Sequence, residues 1–282
     1  EISLGLVGSE MCIRDRLIIL KIGGSVITDR SRSFKLKIEN IKRIADEIAK
    51  AYTTKDFRLI VVHGAGSFGH PQVLASRIHL GIREKRQLVS FAEVQSWQNL
   101  LNFIITREMQ KRRIPAIPIQ PSAIAIVKKG KIVEMFTNVI SQLLNIGMVP
   151  VLYGVPALDV EQKCSILSGD ELVAYLAKEL MASIVIHGTD VDGVFTKDPK
   201  RYPDARLIRE ITNENLQSVL QSLSESKFAD VTGGMYSKIV RLVDVAKRGV
   251  KCLVVNAEKR ETIYKALIGE KVLGSIINLS KS

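Results

Sequence analysis

A three-layer α/β/α sandwich with a central, mainly parallel sheet is the fold class this sequence predicts. An apolar strand, a glycine turn and an amphipathic helix follow one another twice within about fifty residues, the pattern of parallel strands with helices packed on them. The alternation returns in the second half, from Ser168 to Val194. Composition agrees: 46% of the 282 residues are hydrophobic and only 5% aromatic. Such an aliphatic chain is long enough for one large α/β domain or two lobes on a shared sheet.

The first sixteen residues are expected to be a non-native extension. Glu10-Met11-Cys12-Ile13-Arg14-Asp15-Arg16 reads like a translated transposon end fused ahead of a gene, so the domain is taken as residues 17–282. Leu17–Leu20 is then a first strand, running into Lys21-Ile22-Gly23-Gly24-Ser25. Ile38, Ile41, Ile44, Ile48 and Tyr52 recur at helical spacing over 38–52. Leu59–Val62 is the next strand and breaks into His63-Gly64-Ala65-Gly66-Ser67-Phe68-Gly69-His70. A second helix is predicted from Leu88 to Arg112, with Phe91, Val94, Trp97 and Leu101 on one side. That stripe reads as core, or as the lining of a pocket for an apolar tail.

Two prolines make Ile114–Ile119 a short edge-type strand or an extended segment. Lys128-Lys129-Gly130 reads as a hairpin turn between Ala123–Val127 and Lys131–Val133. Thr137–Ile146 is a helix closed by Gly147, and Val149–Tyr153 is a strand ending at Gly154. Ser168 caps a helix through Leu180, Ile184–Ile186 is a strand, Thr232-Gly233-Gly234 opens a helix carrying Lys238, and Leu253–Val255 is a late strand. The two lobes are placed at 17–159 and 160–282.

Composition also excludes classes of function. The net charge is +12, but lysine and arginine are spread along helical faces without a basic stripe interleaved with aromatics. A solvated surface is expected, not a nucleic-acid interface. No apolar run approaches the ~20 residues a membrane span needs. Cys12, Cys164 and Cys252 are far apart and lack metal-ligand spacing, so free thiols in a reducing cytoplasm are expected.

Strand-to-glycine turns expose backbone N–H groups and favour an anion, most often phosphate. Gly64-x-Gly66-x-x-Gly69 formally matches the dinucleotide fingerprint. Pro71, directly where that fingerprint's helix must pack, and the earlier Gly23-Gly24 turn argue against it, and the P-loop pattern is absent. What remains is two glycine loops, two separated lysines (Lys21 and Lys238) and carboxylates at Asp170, Asp190 and Asp192. Phosphoryl transfer uses such parts, because its transition state is stabilised by positioning and by cations and N–H groups around spread negative charge.

Taken together, Lys21-Ile22-Gly23-Gly24-Ser25, the second glycine loop, Ser168-Gly169-Asp170, Thr189-Asp190-Val191-Asp192-Gly193-Val194, Lys197-Asp198-Pro199 and Thr232-Gly233-Gly234-Met235-x-x-Lys238 resemble the amino acid kinase family. The resemblance runs from about Leu17 to the C-terminus. Within that family, the Ser67-Phe68-Gly69-His70 segment is similar to members that phosphorylate isopentenyl phosphate to the diphosphate with ATP, a step of isoprenoid biosynthesis. Fosfomycin-type and UMP kinases, and a catalytically silent nucleotide-binding storage or sensor protein, are the rival readings.

The resemblance implies ATP and Mg²⁺ as cofactors and a homodimer, with no metal ligand among the named residues. Lys21 and Lys238 would contact the transferring phosphoryl group, organised by Asp170. Gly23, Gly24, Ser25 and Gly66 would line the phosphate path, and Thr189, Asp190, Asp192, Lys197 and Gly234 would surround the nucleotide. Ala65, Gly66, His70 and Gly154 would hold the acceptor monophosphate. His70 reads as a hydrogen-bond donor to that phosphate or as a helix-capping or solvated histidine, and the resemblance favours the first. The family pattern has a lysine shortly after the first loop where this chain has Arg30, a candidate acceptor ligand or a surface arginine. His63 reads as structural, while His79 and His187 show no partner.

Overall fold

Leu17–Ile22 (β1) is buried along its whole length, as a strand covered on both faces of a parallel sheet must be. A computed structural model describes residues 16–29, 31–225 and 234–279. The chain continues through a one-turn helix α1 (Gly24–Ile27), α2 (Ile38–Thr54), β2 (Arg58–His63), α3 (His70–Ser76) and the long α4 (Lys85–Gln110). There follow β3 (Ala116–Pro118), α5 (Pro121–Ile124), the hairpin β4 (Ala125–Lys128) and β5 (Lys131–Met135), α6 (Asn138–Asn145) and β6 (Val149–Tyr153). A second hairpin, β7 (Val155–Asp159) and β8 (Lys163–Leu167), leads into α7 (Gly169–Glu179) and β9 (Ile184–Thr189). The last part comprises β10 (Val194–Phe195), β11 (Leu207–Ile208), β12 (Glu210–Ile211), α8 (Leu216–Glu225), α9 (Gly234–Ala246), β13 (Lys251–Asn256), α10 (Thr262–Ile268) and β14 (Gly274–Ile277).

Eight strands form one sheet in the order β12-β14-β13-β9-β1-β2-β6-β3. All its pairings are parallel except β13 with β14. The first half of the chain supplies β1, β2, β6 and β3, the second half the rest, and the two halves meet where β1 pairs with β9. Smaller sheets, β5-β4-β7-β8 and β10-β11, stand beside it. Arg58 N–H donates to Arg16 C=O, so the β1–β2 ladder begins one residue before Leu17. The other fifteen residues of the expected extension lie outside the described part.

Side chains alternate across β1 with period two. Ile18, Leu20 and Ile22 pack with α2 and α10 on one face. Leu17 and Ile19 pack with α7, α8 and α9 on the other. Lys21 continues this second series, so its side chain goes to the α7 face. These two cores on opposite faces of the sheet make the three layers.

Several local expectations hold. Pro118 lies on the edge strand β3, which Pro115 precedes, Gly147 closes α6 with φ +85°, and Lys129-Gly130 turns the β4–β5 hairpin with φ of +50° and +75°. The helix predicted from Leu88 starts earlier, at Lys85, because Glu84 and Gln87 form a capping box ahead of it. Val94 and Phe91 pack with Ile78 and Cys164 in a small satellite core, whereas Trp97 packs against Phe34 with tilted rings, their centroids 4.6 Å apart. The hairpin β7–β8, the short strands β10–β12 and β14, and helices α8 and α10 are found only in the structure, although Leu216, Val219, Leu220 and Leu223 of α8 recur at helical spacing.

One buried carboxylate ties the two helices of the β1 side together. Glu47 of α2 is 5% exposed and accepts N–H groups from Glu261, Ile263 and Tyr264 at the start of α10, plus the Arg43 guanidinium. In the Glu47→Ala variant those donors lose a charged acceptor, and stability falls by about 2–4 kcal/mol. Calorimetry should show a Tm drop of roughly 6–12 °C for a domain of this size.

Candidate active site

Parallel strands end at the same edge of a sheet, so the carboxyl ends of β1, β2 and β9 place their loops side by side. Gly23-Gly24 follows β1 and Gly64-Ala65-Gly66 follows β2, and the two loops touch backbone to backbone. A Cβ added at Gly24 would lie 2.5 Å from Gly66 N, and one at Gly64 would lie 2.7 Å from Gly24 N. No side chain fits at either position. Gly64 N–H donates to Ile22 C=O at 3.0 Å and Gly23 N–H to Gly188 C=O at 2.8 Å, which fixes the loops to the strand ends.

Thr28, fully buried, fastens the loops to each other. Its hydroxyl donates to Gly24 C=O at 2.8 Å and accepts Ser67 N–H at 2.9 Å. Sequence reasoning passed over this threonine, because its partner lies 39 residues away and no motif marks it.

Beneath the loops, helix α7 starts with Ser168 as N-cap, its hydroxyl accepting Glu171 N–H. This helix start aims Asp170 at the end of β1. Lys21 Nζ lies 3.0 Å from Asp170 Oδ1, and Lys238 Nζ from α9 lies 3.4 Å from Oδ2. His187 Nε2, from β9, lies 2.9 Å from Oδ1. Residues 21, 170 and 238 are thus assembled from three elements, as the sequence predicted. His187 joins them without having been assigned any chemistry, because its partner is set by sheet register and not by sequence spacing.

Burial pushes the Lys21 ammonium down to about 8, despite the favourable Asp170 charge beside it. Burial would raise Asp170, but Lys21 and Lys238 outweigh it and hold the carboxyl well below the usual range. His187 is driven down to about 3 by burial and by the Lys21 charge, so its ring is neutral. With Asp170 ionised, Lys21 and Lys238 as ammonium groups and His187 neutral, the cluster carries one net positive charge facing the glycine loops.

The remaining predicted residues lie on several elements and their loops. Gly154 N–H donates to His63 C=O at 3.0 Å, and a Cβ there would lie 3.1 Å from Gly169 N, so the end of β6 abuts the start of α7. Ala65 precedes the single 3₁₀ turn Gly66–Phe68, and His70 is the exposed first residue of α3. Thr189 ends β9 and donates to Asp190. Asp190 pairs with Lys200 at 2.5 Å and Asp192 with Lys259 at 2.7 Å. Lys197 pairs with Asp204 at 2.7 Å, so this loop is rich in ion pairs. Gly234 opens α9 at φ +40°. Arg30, Thr232 and Gly233 lie outside the described residues.

His63 is structural, as expected. It is buried, stacks on Tyr153 and shares a hydrogen bond with Asn102 at 3.1 Å. Its neighbour Asn102 belongs to α4, which therefore supports the end of β2 from below. His79 Nδ1 lies 3.3 Å from Val73 C=O, a contact back onto helix α3. Among the described residues no group of three or more His, Cys, Asp and Glu side chains gathers as a metal site. Cys164 and Cys252 are buried free thiols, and no described helix is long and apolar enough to cross a membrane.

The sequence profile of the amino acid kinase family matches residues 16–256. The chain belongs to the amino acid kinase family. The isopentenyl phosphate kinase of Methanothermobacter thermautotrophicus is 41% identical over 93% of this chain and 98% of its own length. That of Methanocaldococcus jannaschii is 36% identical over 94% of this chain and all of its own. A crystal structure of isopentenyl phosphate kinase superposes with a TM-score of 0.81 at 38% identity, covering 93% of this chain and 100% of that one. Carbamate kinase from Giardia lamblia, at 14% identity and a TM-score of 0.70 over 94% of this chain and 99% of that one, shares the fold.

Family membership leaves the charge balance of this site open to direct measurement. NMR titration of lysine side chains should show Lys21 losing its proton near pH 8. In Asp170→Asn the attracting carboxylate is gone, so that midpoint moves lower still. An unshifted Lys21 titration in the variant would mean that the pair seen here does not form in solution.

Proposed function

We propose that this chain transfers the γ-phosphoryl group of ATP to isopentenyl phosphate, forming isopentenyl diphosphate and ADP. The observation that carries it is one carboxylate holding two lysines under a pair of backbone-exposing loops, in a chain alike over nearly its full length to isopentenyl phosphate kinases. A terminal oxygen of the acceptor phosphate attacks the γ-phosphorus in line as the bond to the β–γ bridging oxygen breaks. The electron pair leaves with ADP. No enzyme-bound phosphate intermediate is needed, and a phosphate dianion needs no general base.

Lys21 and Lys238 neutralise charge on the phosphoryl oxygens as they spread in the transition state. Asp170 keeps the two ammonium groups side by side without full mutual repulsion. The glycine loops bring N–H groups close to phosphate oxygens where any side chain would block the approach. Asp170 is already occupied by its three partners, so the residues present fit a Mg²⁺ carried by the nucleotide phosphates better than one held by a carboxylate cage. Bound there, the ion would offset part of the phosphate charge.

On this reading His70, beside Gly69, meets the acceptor phosphate together with Ala65, Gly66 and Gly154. Thr189, Asp190, Asp192, Lys197 and Gly234 lie around the nucleotide. The 17–159 part then serves the acceptor and the 160–282 part the nucleotide, with the β7–β8 hairpin bridging the two. Exposed apolar side chains on α4, Leu100 and Phe103, suit the homodimer we propose, and the free thiols suit a cytoplasmic setting. Arg30 remains the proposed extra cation at the acceptor.

Coupled assays with isopentenyl phosphate, UMP and fosfomycin should show strong preference for the first; equal or absent turnover rejects the assignment. For His70→Ala, kcat/KM for the acceptor should fall by roughly 100-fold, the loss expected for one charge-stabilising donor, while the KM for ATP changes little. The Lys21 ammonium is needed, so kcat/KM should decline as pH rises through about 8, since this ratio reports the free enzyme. A variant beginning at Leu17 should keep wild-type turnover.

A further inference from the structure

His187 sits 1% exposed against the active carboxylate, yet neither the motifs nor the reaction just described uses it. We propose that His187 is a positioning residue for phosphoryl transfer, its neutral ring donating from Nε2 to Asp170 Oδ1 so that one carboxylate oxygen serves Lys21 and the other Lys238. The inference rests on the kinase reading above.

Sheet register supplies the first argument. Lys21 and His187 are direct partners in the parallel β1–β9 pair, so their side chains emerge on the same face, one strand apart. Both reach the same oxygen, Oδ1, at 3.0 Å and 2.9 Å. Lys238 reaches the other oxygen, Oδ2, at 3.4 Å. A carboxylate with three donors arranged in this way has little freedom to rotate, and rotation is what would exchange the two lysines' partners.

The ring's other nitrogen supplies the second. His187 Nδ1 is buried and has no hydrogen-bond partner among the described residues. The opposite tautomer would bury an N–H without an acceptor and turn a lone pair toward the carboxylate, so Nε2 carries the proton. Among the described residues Asp170 is then the ring's sole hydrogen-bond partner, which separates it from His63, whose ring is held on both nitrogens. The charged groups facing the ring are Asp170, Lys21 and Lys238. A second positive charge beside two ammonium groups is disfavoured, which keeps the donor neutral over the working pH range.

The consequence for the reaction concerns how tightly Lys21 is held. Because Oδ1 already accepts from His187, its attraction for Lys21 is shared, and the ammonium can lean toward a phosphoryl oxygen as charge develops there. Without the imidazole, Oδ1 faces Lys21 alone, the ion pair tightens and the carboxylate is free to turn.

The test compares His187→Leu, which keeps volume and removes the donor, with His187→Gln, whose amide nitrogen can occupy the Nε2 position. The Leu variant should lose kcat by roughly 10- to 100-fold, the scale of a misplaced reacting group, with both KM values within twofold. Its Lys21 titration should move above that of the wild type, and the Gln variant should recover most of kcat. Unchanged kcat and an unchanged Lys21 titration in a folded Leu variant would refute the proposal, since pure packing moves neither. Should the Leu variant not fold, ¹⁵N spectra of the wild-type imidazole decide: an Nδ1–H tautomer or an imidazolium at pH 7 overturns it. The titration and tautomer do not depend on the acceptor, so a wild type inactive on isopentenyl phosphate would reject the functional reading and leave these two readouts to judge His187.

Discussion

The whole site turns on the attraction of two lysine ammonium groups for a single half-buried carboxylate. Asp170 is bound by Lys21, Lys238 and His187 from three separate elements. Charges a few ångströms apart in a partly desolvated place interact by several kcal/mol, on the order of 4 kcal/mol at 4 Å with an effective dielectric of about 20. That attraction offsets the burial of Lys21, whose ammonium is nonetheless destabilised enough to titrate near 8. A site built this way is short of anions by one charge. A polyphosphate supplies them.

The glycine loops complete the same logic with dipoles in place of charges. Their contact leaves no room for a Cβ at Gly24 or Gly64, so the backbone itself forms the wall of the site. Thr28 links both loops through one hydroxyl, which makes their spacing a property of the fold and not of the bound phosphate. Preorganisation of this kind is what lets fixed N–H groups act on a transition state without first reorganising.

Much of this was legible in the sequence. The alternating strands and helices, the edge position of the proline-bearing β3 and the Lys129-Gly130 hairpin follow from local chemistry, and the structure has them. The pairing of Lys21 with Asp170 and Lys238 was reached through motifs, although 217 residues separate the two lysines. His187 and Thr28 were illegible for a common reason. Each acts through a neighbour set by tertiary register, and neither residue type at that position differs from an ordinary strand histidine or loop threonine. The β7–β8 hairpin escaped because its strands are short and its proline reads as a break. Its role is to carry the chain from the end of β6, at Gly154, to the start of α7, at Ser168.

Register is the deeper constraint behind both halves of the site. In β1, Leu17 and Ile19 belong to one core and Ile18, Leu20 and Ile22 to the other. Slipping the strand by one residue would exchange these sets and carry Lys21 to the α2 face, away from Asp170. It would also put Ile22 against the carboxylate. Both outcomes bury a charge without its partner, at a cost of several kcal/mol per ion. The apolar residues of β1 therefore do more than fill the core. By fitting only one way between two helical layers, they select the single alignment in which Lys21 lies beside His187 and beneath the glycine loops. The chemistry of position 21 is thus specified by the five aliphatic residues around it as much as by the lysine itself.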